Sequence, residues 1–179
     1  MKKYILLAFS CFILSQANAL GKLTIINGTN DYNLLVQPIV ANTTNCYPQL
    51  STYALLVNNY YLQLSPNQSL SYDNFTDFDS YPSGVKFVYR DNASSPGVSL
   101  TTLQAQNLYA NQVEWSKFIF KSFHQITDVF GVGSHIGLPS SFSCHNDPTS
   151  ASYEGDTDNT VATTFTIGTH TYFIINQYS

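Results

Sequence analysis

The sequence has little charge of either sign. Among its 179 residues, Lys and Arg number 7, Asp and Glu number 11, and charged residues make up 10% against 44% apolar residues. Disordered chains need the opposite balance, so that class is excluded. Nucleic-acid binders carry clustered basic residues, and a formal charge of −4 offers no such surface. We therefore expect a globular chain with no nucleic-acid partner.

No apolar run is long enough to span a bilayer, which takes roughly 20 residues. The longest run, over 4–14, follows Lys2 and Lys3 and precedes the small-x-small site Ala17-Asn18-Ala19. This order is typical of a secretory signal peptide, with a transmembrane anchor as the alternative. We expect a cleavable signal peptide over 1–19, one domain over 20–179 and a secreted or periplasmic protein without a transmembrane segment.

Cysteine is also scarce. Residues 20–179 hold two cysteines, Cys46 and Cys144, and five basic against eleven acidic residues, a formal charge of −6. In an oxidising compartment such a pair predicts a disulfide. Two free thiols or metal ligands are the alternative, although zinc sites use closely spaced ligand pairs.

Apolar residues recur at every second position far more often than at helical spacing. Segments 85–90 and 115–123 show this alternation, segment 104–112 is the one with helical spacing, and Pro38 indicates an edge strand or a bulge. The glycine-containing stretch 131–147 is predicted to be loop. Seven to nine short strands separated by turn signals predict an all-β fold. We expect a single-domain antiparallel β-sandwich with one short helical segment, a barrel being the alternative.

Motifs for catalysis are missing. The sequence has no HExxH and no G-x-S-x-G, and its four histidines, at 124, 135, 145 and 170, are dispersed. The two glutamates, Glu114 and Glu154, have no spacing that would pair them for glycoside hydrolysis. No catalytic residue is predicted, and a non-enzyme is favoured over a hydrolase that would use these carboxylates with a metal.

An acidic loop is the best candidate metal site. Glu154, Asp156 and Asp158 flank Gly155, and calcium binds several carboxylate oxygens at once. The spacing does not match an EF-hand, and a solvated acidic turn explains it equally well. Calcium is the only cofactor that the sequence suggests.

Tyrosines beside asparagines suggest a binding surface. Tyr60 and Tyr61 follow Asn58 and Asn59, and such pairs offer ring area together with hydrogen bonds to a sugar or a protein ligand. Ordinary strand packing is the alternative.

Five asparagines match the N-x-S/T acceptor pattern: Asn27, Asn42, Asn67, Asn74 and Asn92. In a chain this rich in Asn, Ser and Thr, about three such matches arise by chance. The pattern therefore does not establish glycosylation.

The run Ile25-Ile26-Asn27-Gly28-Thr29-Asn30-Asp31-Tyr32 and the segments 46–48 and 64–75 resemble small exported bacterial proteins of unassigned function. That resemblance implies a β-sandwich with a secretory signal and implies no activity. We expect a secreted binding or surface-interaction protein. The alternatives are a membrane-active, toxin-like sandwich, for which the aromatic content and low charge argue, and a secreted hydrolase with an acidic metal loop.

Overall fold

A computed structural model describes residues 20–55, 60–139, 144, 150–155 and 159–178. Within them, two β-sheets pack face to face, and the helical elements Phe75–Ser80 and Thr102–Tyr109 are short. The predicted all-β sandwich is confirmed. The predicted signal peptide, residues 1–19, lies outside the described residues.

The smaller sheet has five strands. From edge to edge they are β10 (Ser152–Glu154), β11 (Thr160–Ile167), β12 (His170–Gln177), β1 (Leu23–Gly28) and β5 (Gln68–Tyr72). All pairs are antiparallel except β1 with β12, which run parallel with Leu23 beside Thr171. The first and last strands of the chain are therefore neighbours.

The larger sheet has seven strands. Six follow one another as β7 (Val98–Leu100), β6 (Val85–Arg90), β3 (Gln49–Ala54), β2 (Tyr32–Ala41), β8 (Glu114–His124) and β9 (Phe130–Gly137). The seventh, β4 (Leu62–Leu64), also pairs with β2. Every pair in this sheet is antiparallel.

The core forms where alternating apolar residues of the two sheets meet. Leu23 and Ile25 of β1 and Phe173 of β12 are fully buried. The ring of Phe173 lies 5.1 Å from that of Phe118 and 5.4 Å from that of Phe120, both on β8 of the opposite sheet. Because strand side chains alternate between faces, each such contact fixes the register of its whole strand.

The helical segments are both capped by their own side chains. The 3₁₀ helix Phe75–Ser80 begins after Asn74, and α1 (Thr102–Tyr109) begins after Thr101, each with a reciprocal capping box. This box satisfies free backbone N–H groups of the first turn. It also explains why α1 begins two residues before the predicted segment 104–112.

Two sequence predictions need correction. Part of the predicted loop 131–147 is strand, because β9 pairs with β8 from Phe130 to Gly137. Pro38 lies in β2, a central strand, so the edge-strand alternative is wrong, whereas the shift in register between Ile39 and Val40 agrees with the bulge alternative. It is tolerated there because β4 pairs with β2 up to Val36 and β3 pairs from Ile39 onward, with a register shift beside Ile39.

Candidate binding cleft at one end of the sandwich

A cleft opens at the end of the sandwich where β2 and β11 finish and β8 begins. It encloses about 420 Å³ and is lined by segments 42–44 and 111–115, by Gly21 and Leu138, and by the turn between β11 and β12. Sites for small ligands enclose roughly 300–1,000 Å³. The size is therefore suited to a small ligand or to one end of a larger one.

Trp115 closes the floor of this cleft. Its side chain is buried, and its indole N–H donates to the Gly21 carbonyl at 2.6 Å. Trp115 belongs to the larger sheet, and Gly21 lies two residues before Leu23, where the first strand of the smaller one begins. A single hydrogen bond thus joins the two sheets beneath the opening.

The loop after β2 forms one wall. The Asn42 side-chain oxygen accepts the N–H of Thr44 at 2.9 Å, and the Asn42 carbonyl accepts the N–H of Cys46 at 2.8 Å. The structure confirms the disulfide between Cys46 and Cys144, with Sγ of Cys144 lying 3.7 Å from the carbonyl oxygens of Asn42 and Thr43. This wall is fixed by local hydrogen bonds and by a covalent link.

The turn between β11 and β12 forms the facing wall. Gly168 has a positive φ of 61°, which a tight hairpin requires at that position. The hydroxyls of Thr166 and Thr171 lie 3.3 Å apart, and the Thr171 N–H donates to the Lys22 carbonyl at 2.8 Å. This wall is therefore regular strand backbone bearing short hydroxyl side chains.

The cleft is polar and almost uncharged. Eight of its lining residues are Asn, Gln or Thr, and within the described chain Glu114 is the one ionisable side chain among them. Amides and hydroxyls both donate and accept hydrogen bonds, as a sugar hydroxyl does. The described part of the lining holds no Lys, Arg or His, so within it a phosphate or carboxylate ligand has no cation to pair with.

The predicted ligand-binding tyrosines lie elsewhere, in the segment before β4. Tyr60 is exposed, and its ring packs edge-on against Tyr53 at 5.0 Å. Tyr61 is half-buried, with the Lys121 ammonium 5.4 Å from its ring centre. Neither lines the cleft. Their role in binding stays a prediction.

The predicted calcium loop lies only partly within the described residues. Glu154 lies at the end of β10 and, with Asn159 and Tyr178, borders a smaller cavity of about 300 Å³. Asp156 and Asp158 lie outside the described residues. Within the described residues, no three His, Cys, Asp or Glu side chains are grouped to hold a metal.

The remaining candidate catalytic groups are spread over the molecule. Glu114 lines the large cleft, whereas Glu154 borders the small cavity. The length of β11, about 26 Å for its eight residues, separates the two ends. His124 and His170 lie at opposite ends of the sandwich, and His145 is outside the described residues. The structure does not bring Glu114 and Glu154 together.

Sequence reasoning missed the cleft because no local motif marks it. Its walls come from segments near positions 21, 43, 113, 138 and 168, each made of ordinary turn residues. The available signal was the cluster of polar residues at strand ends, which is where binding residues commonly lie.

Searches against protein-family models, curated proteins and solved structures find no match to this chain. Neither helix of the described residues has the length and apolar content needed to cross a membrane. The geometry of the cleft is therefore the basis for assigning a function.

Proposed function

We propose that this chain is an exported β-sandwich binding protein and that its ligand is a neutral carbohydrate held in the end cleft. One observation carries the proposal: a cleft of about 420 Å³ whose polar lining, among the described residues, is amide and hydroxyl with a single carboxylate. Such a lining pairs with the hydroxyls of a sugar without needing a counter-charge. Export is supported by the signal-like sequence over 1–19 and by the disulfide, which is typical of oxidising compartments.

The cleft also has the rigidity that recognition needs. Its floor is tied across the sheets by Trp115, and its walls are held by the disulfide and by a hairpin. A ligand that enters a preformed site does not have to order the site, so less of the binding energy is lost. Binding to a protein ligand is the alternative within the same class.

Tryptophan fluorescence provides the test, because Trp115 is the single tryptophan of the chain and forms the cleft floor. The chain without residues 1–19 is titrated with short neutral oligosaccharides of glucose, galactose, mannose and N-acetylglucosamine. We expect a saturable change in Trp115 emission for at least one of them. Acidic oligosaccharides should bind more weakly, because Glu114 repels them.

Matched variants distinguish the cleft from other surfaces. Asn111→Ala removes an exposed amide from the lining, and we expect affinity to fall by about two- to tenfold for one lost hydrogen bond. Asn107→Ala removes an exposed amide of α1 that does not line the cleft and should bind as the wild type does. A panel with no response, or equal loss in both variants, contradicts carbohydrate binding in the cleft.

A further inference from the structure

The hairpin between β8 and β9 carries exposed apolar side chains at the end of the molecule opposite the cleft. Ile126 is 83% exposed, Val129 is 61% exposed and Phe130 is 54% exposed. We call these three residues the hairpin tip. Single exposed apolar residues are common on protein surfaces, but three within five positions of one turn form a concentrated apolar projection.

The turn that carries the tip is held in a defined shape. Nδ1 of His124 accepts the backbone N–H groups of Ile126 and Thr127, each at 3.3 Å. Asp128 adopts a left-handed conformation with φ of 54°, and its N–H donates to the His124 carbonyl at 2.9 Å. Hydrogen bonds therefore hold the turn in a defined conformation that directs the side chains of the hairpin tip outward.

Two contacts anchor this turn to the sandwich. The Gln125 N–H donates to the Asp31 carbonyl at 2.8 Å, which fastens the hairpin to the loop before β2. The ring of Phe130 packs edge-on against Phe123 at 5.6 Å. Part of Phe130 is thus engaged with the hairpin, whereas Ile126 and Val129 face solvent.

We infer that the hairpin tip docks on the surface of a zwitterionic lipid bilayer. A specific protein partner typically covers roughly 800 Å² per side with 20–30 residues, and a projection of three side chains offers much less. A bilayer needs no complementary pocket, because apolar side chains partition into the acyl boundary individually.

The charge of the turn selects the type of lipid. From Phe123 to Gly131 the chain has one carboxylate, Asp128, one imidazole, His124, and no Lys or Arg. The whole chain has a formal charge of −4. Attraction to anionic headgroups depends on basic side chains, so an uncharged headgroup layer fits this tip better.

Docking would also orient the cleft. β8 runs from Glu114, which lines the cleft, to His124 at the base of the tip, about 36 Å over its 11 residues. A protein held by the tip presents its cleft away from the bilayer. This inference does not depend on the ligand of the cleft and stands or falls separately from it.

Tryptophan reporters test the inference directly. Ile126→Trp places an indole on the tip, and Leu108→Trp places one on the exposed face of α1, where Leu108 is 53% exposed. Both are mixed with phosphatidylcholine vesicles, with Trp115 as a constant buried background. We expect a blue shift of the added emission for Ile126→Trp and none for Leu108→Trp. An unshifted Ile126→Trp spectrum, or equal shifts in both variants, overturns the inference.

Vesicle flotation gives a second measurement on the natural surface. The double variant Ile126→Ser with Val129→Ser should bind phosphatidylcholine vesicles about tenfold more weakly than the wild type. The matched control, Leu103→Ser with Leu108→Ser, removes two apolar side chains of α1 that are 58% and 53% exposed and should bind as the wild type does. Equal loss in both double variants, or stronger binding to phosphatidylglycerol vesicles, contradicts the inference.

Dye trapped in the same vesicles should stay inside, because three side chains reach the interface without crossing it. Release of the dye at protein concentrations that give binding would contradict peripheral docking and favour the membrane-active alternative.

Discussion

The buried side chain of a single residue, Asn27, joins three segments of the chain. Its side-chain N–H group donates to the carbonyls of Tyr32, Leu64 and Ser65 at 2.9, 3.2 and 3.0 Å. Its oxygen accepts the hydroxyl of Thr29 at 2.8 Å. Asn27 lies near the end of β1 in the smaller sheet, and the three carbonyls belong to or adjoin β2 and β4 of the larger one, so a buried amide links the layers. The acceptor pattern at this position therefore reflects structure and not an accessible glycosylation site.

Replacing Asn27 tests that role. Asn27→Ala should lower the free energy of unfolding by about 3 kcal/mol, because it leaves several buried backbone groups without a partner. Denaturant unfolding measures the change. Asn92→Ala, in an exposed loop where the side chain accepts the Ser94 N–H and donates to the Asp91 carboxylate, should lose less than about 1 kcal/mol. Similar losses in the two variants would show that Asn27 has no special role.

Tyr72, unlike Asn27, has a buried polar group that makes no hydrogen bond in the described structure. Its hydroxyl is buried without a hydrogen-bond partner in the described structure, and its ring stacks on Phe78. Tyr72→Phe removes the unpaired hydroxyl and keeps the ring, so we expect the free energy of unfolding to rise by about 1 kcal/mol. Tyr81→Phe should instead lower it, because the Tyr81 hydroxyl accepts the Gln63 N–H at 2.7 Å. A loss of stability in Tyr72→Phe would contradict an unpaired hydroxyl.

The same residue predicts a pH dependence. Burial raises the pKa of Tyr72 well above its ordinary value of 10.0, with a further contribution from Tyr81. The unfolded chain then releases this proton at lower pH than the folded chain, so folding becomes less favourable above about pH 10. The advantage of Tyr72→Phe over the wild type should widen between about pH 8 and about pH 10.5 in denaturant unfolding. A constant difference would contradict the raised pKa.

Gly168 sets the shape of one element, the β11–β12 hairpin that walls the cleft. Its φ is positive, and a Cβ added there meets no atom within 4 Å, so a substitution tests the backbone alone. Gly168→Ala should cost about 1 kcal/mol of unfolding free energy. Gly168→Asn should cost less, since Asn tolerates the left-handed region better. Equal costs, read from thermal or denaturant unfolding, would contradict this account of the turn.

Strands in which apolar and polar residues alternate clearly were predictable from the sequence, and strands without that alternation were not. β6 matches the predicted segment 85–90 because its apolar residues mark one face. β9 was missed because Gly131, Gly133 and Gly137 carry no side chain to mark a face, and its strand conformation depends on pairing with β8. Propensity weakly constrains such an edge element, and tertiary pairing determines it.

The candidate site was less predictable than the fold for a related reason. A disulfide could be inferred from two cysteines and an oxidising compartment, and it is present. The cleft could not be inferred from the sequence, because residues such as Thr43, Asn111 and Thr169 become neighbours only after both sheets have packed. The order of these residues along the sequence does not show that they lie close together in the fold.

The disulfide acts on the whole molecule. Cys46 and Cys144 are 98 positions apart, so their link closes a loop that contains the strands from β3 to β9. Cys46→Ser with Cys144→Ser should lower the free energy of unfolding by roughly 2–5 kcal/mol. Reduction of the wild type should add about 2 Da, the two hydrogens that a disulfide lacks. Unchanged stability in the double variant, or unchanged mass on reduction, would contradict a structural disulfide.

The parallel pairing of β1 with β12 has a consequence for assembly of the chain. β1 and β12 pair Leu23 with Thr171, 148 positions later in the chain, and contacts between such distant segments form slowly because closing the long loop costs entropy. The smaller sheet is therefore completed only after β12 has left the ribosome. Until β12 is available, β1 has β5 as its one partner strand in the described sheet, and the edge of β1 that β12 covers stays unpaired.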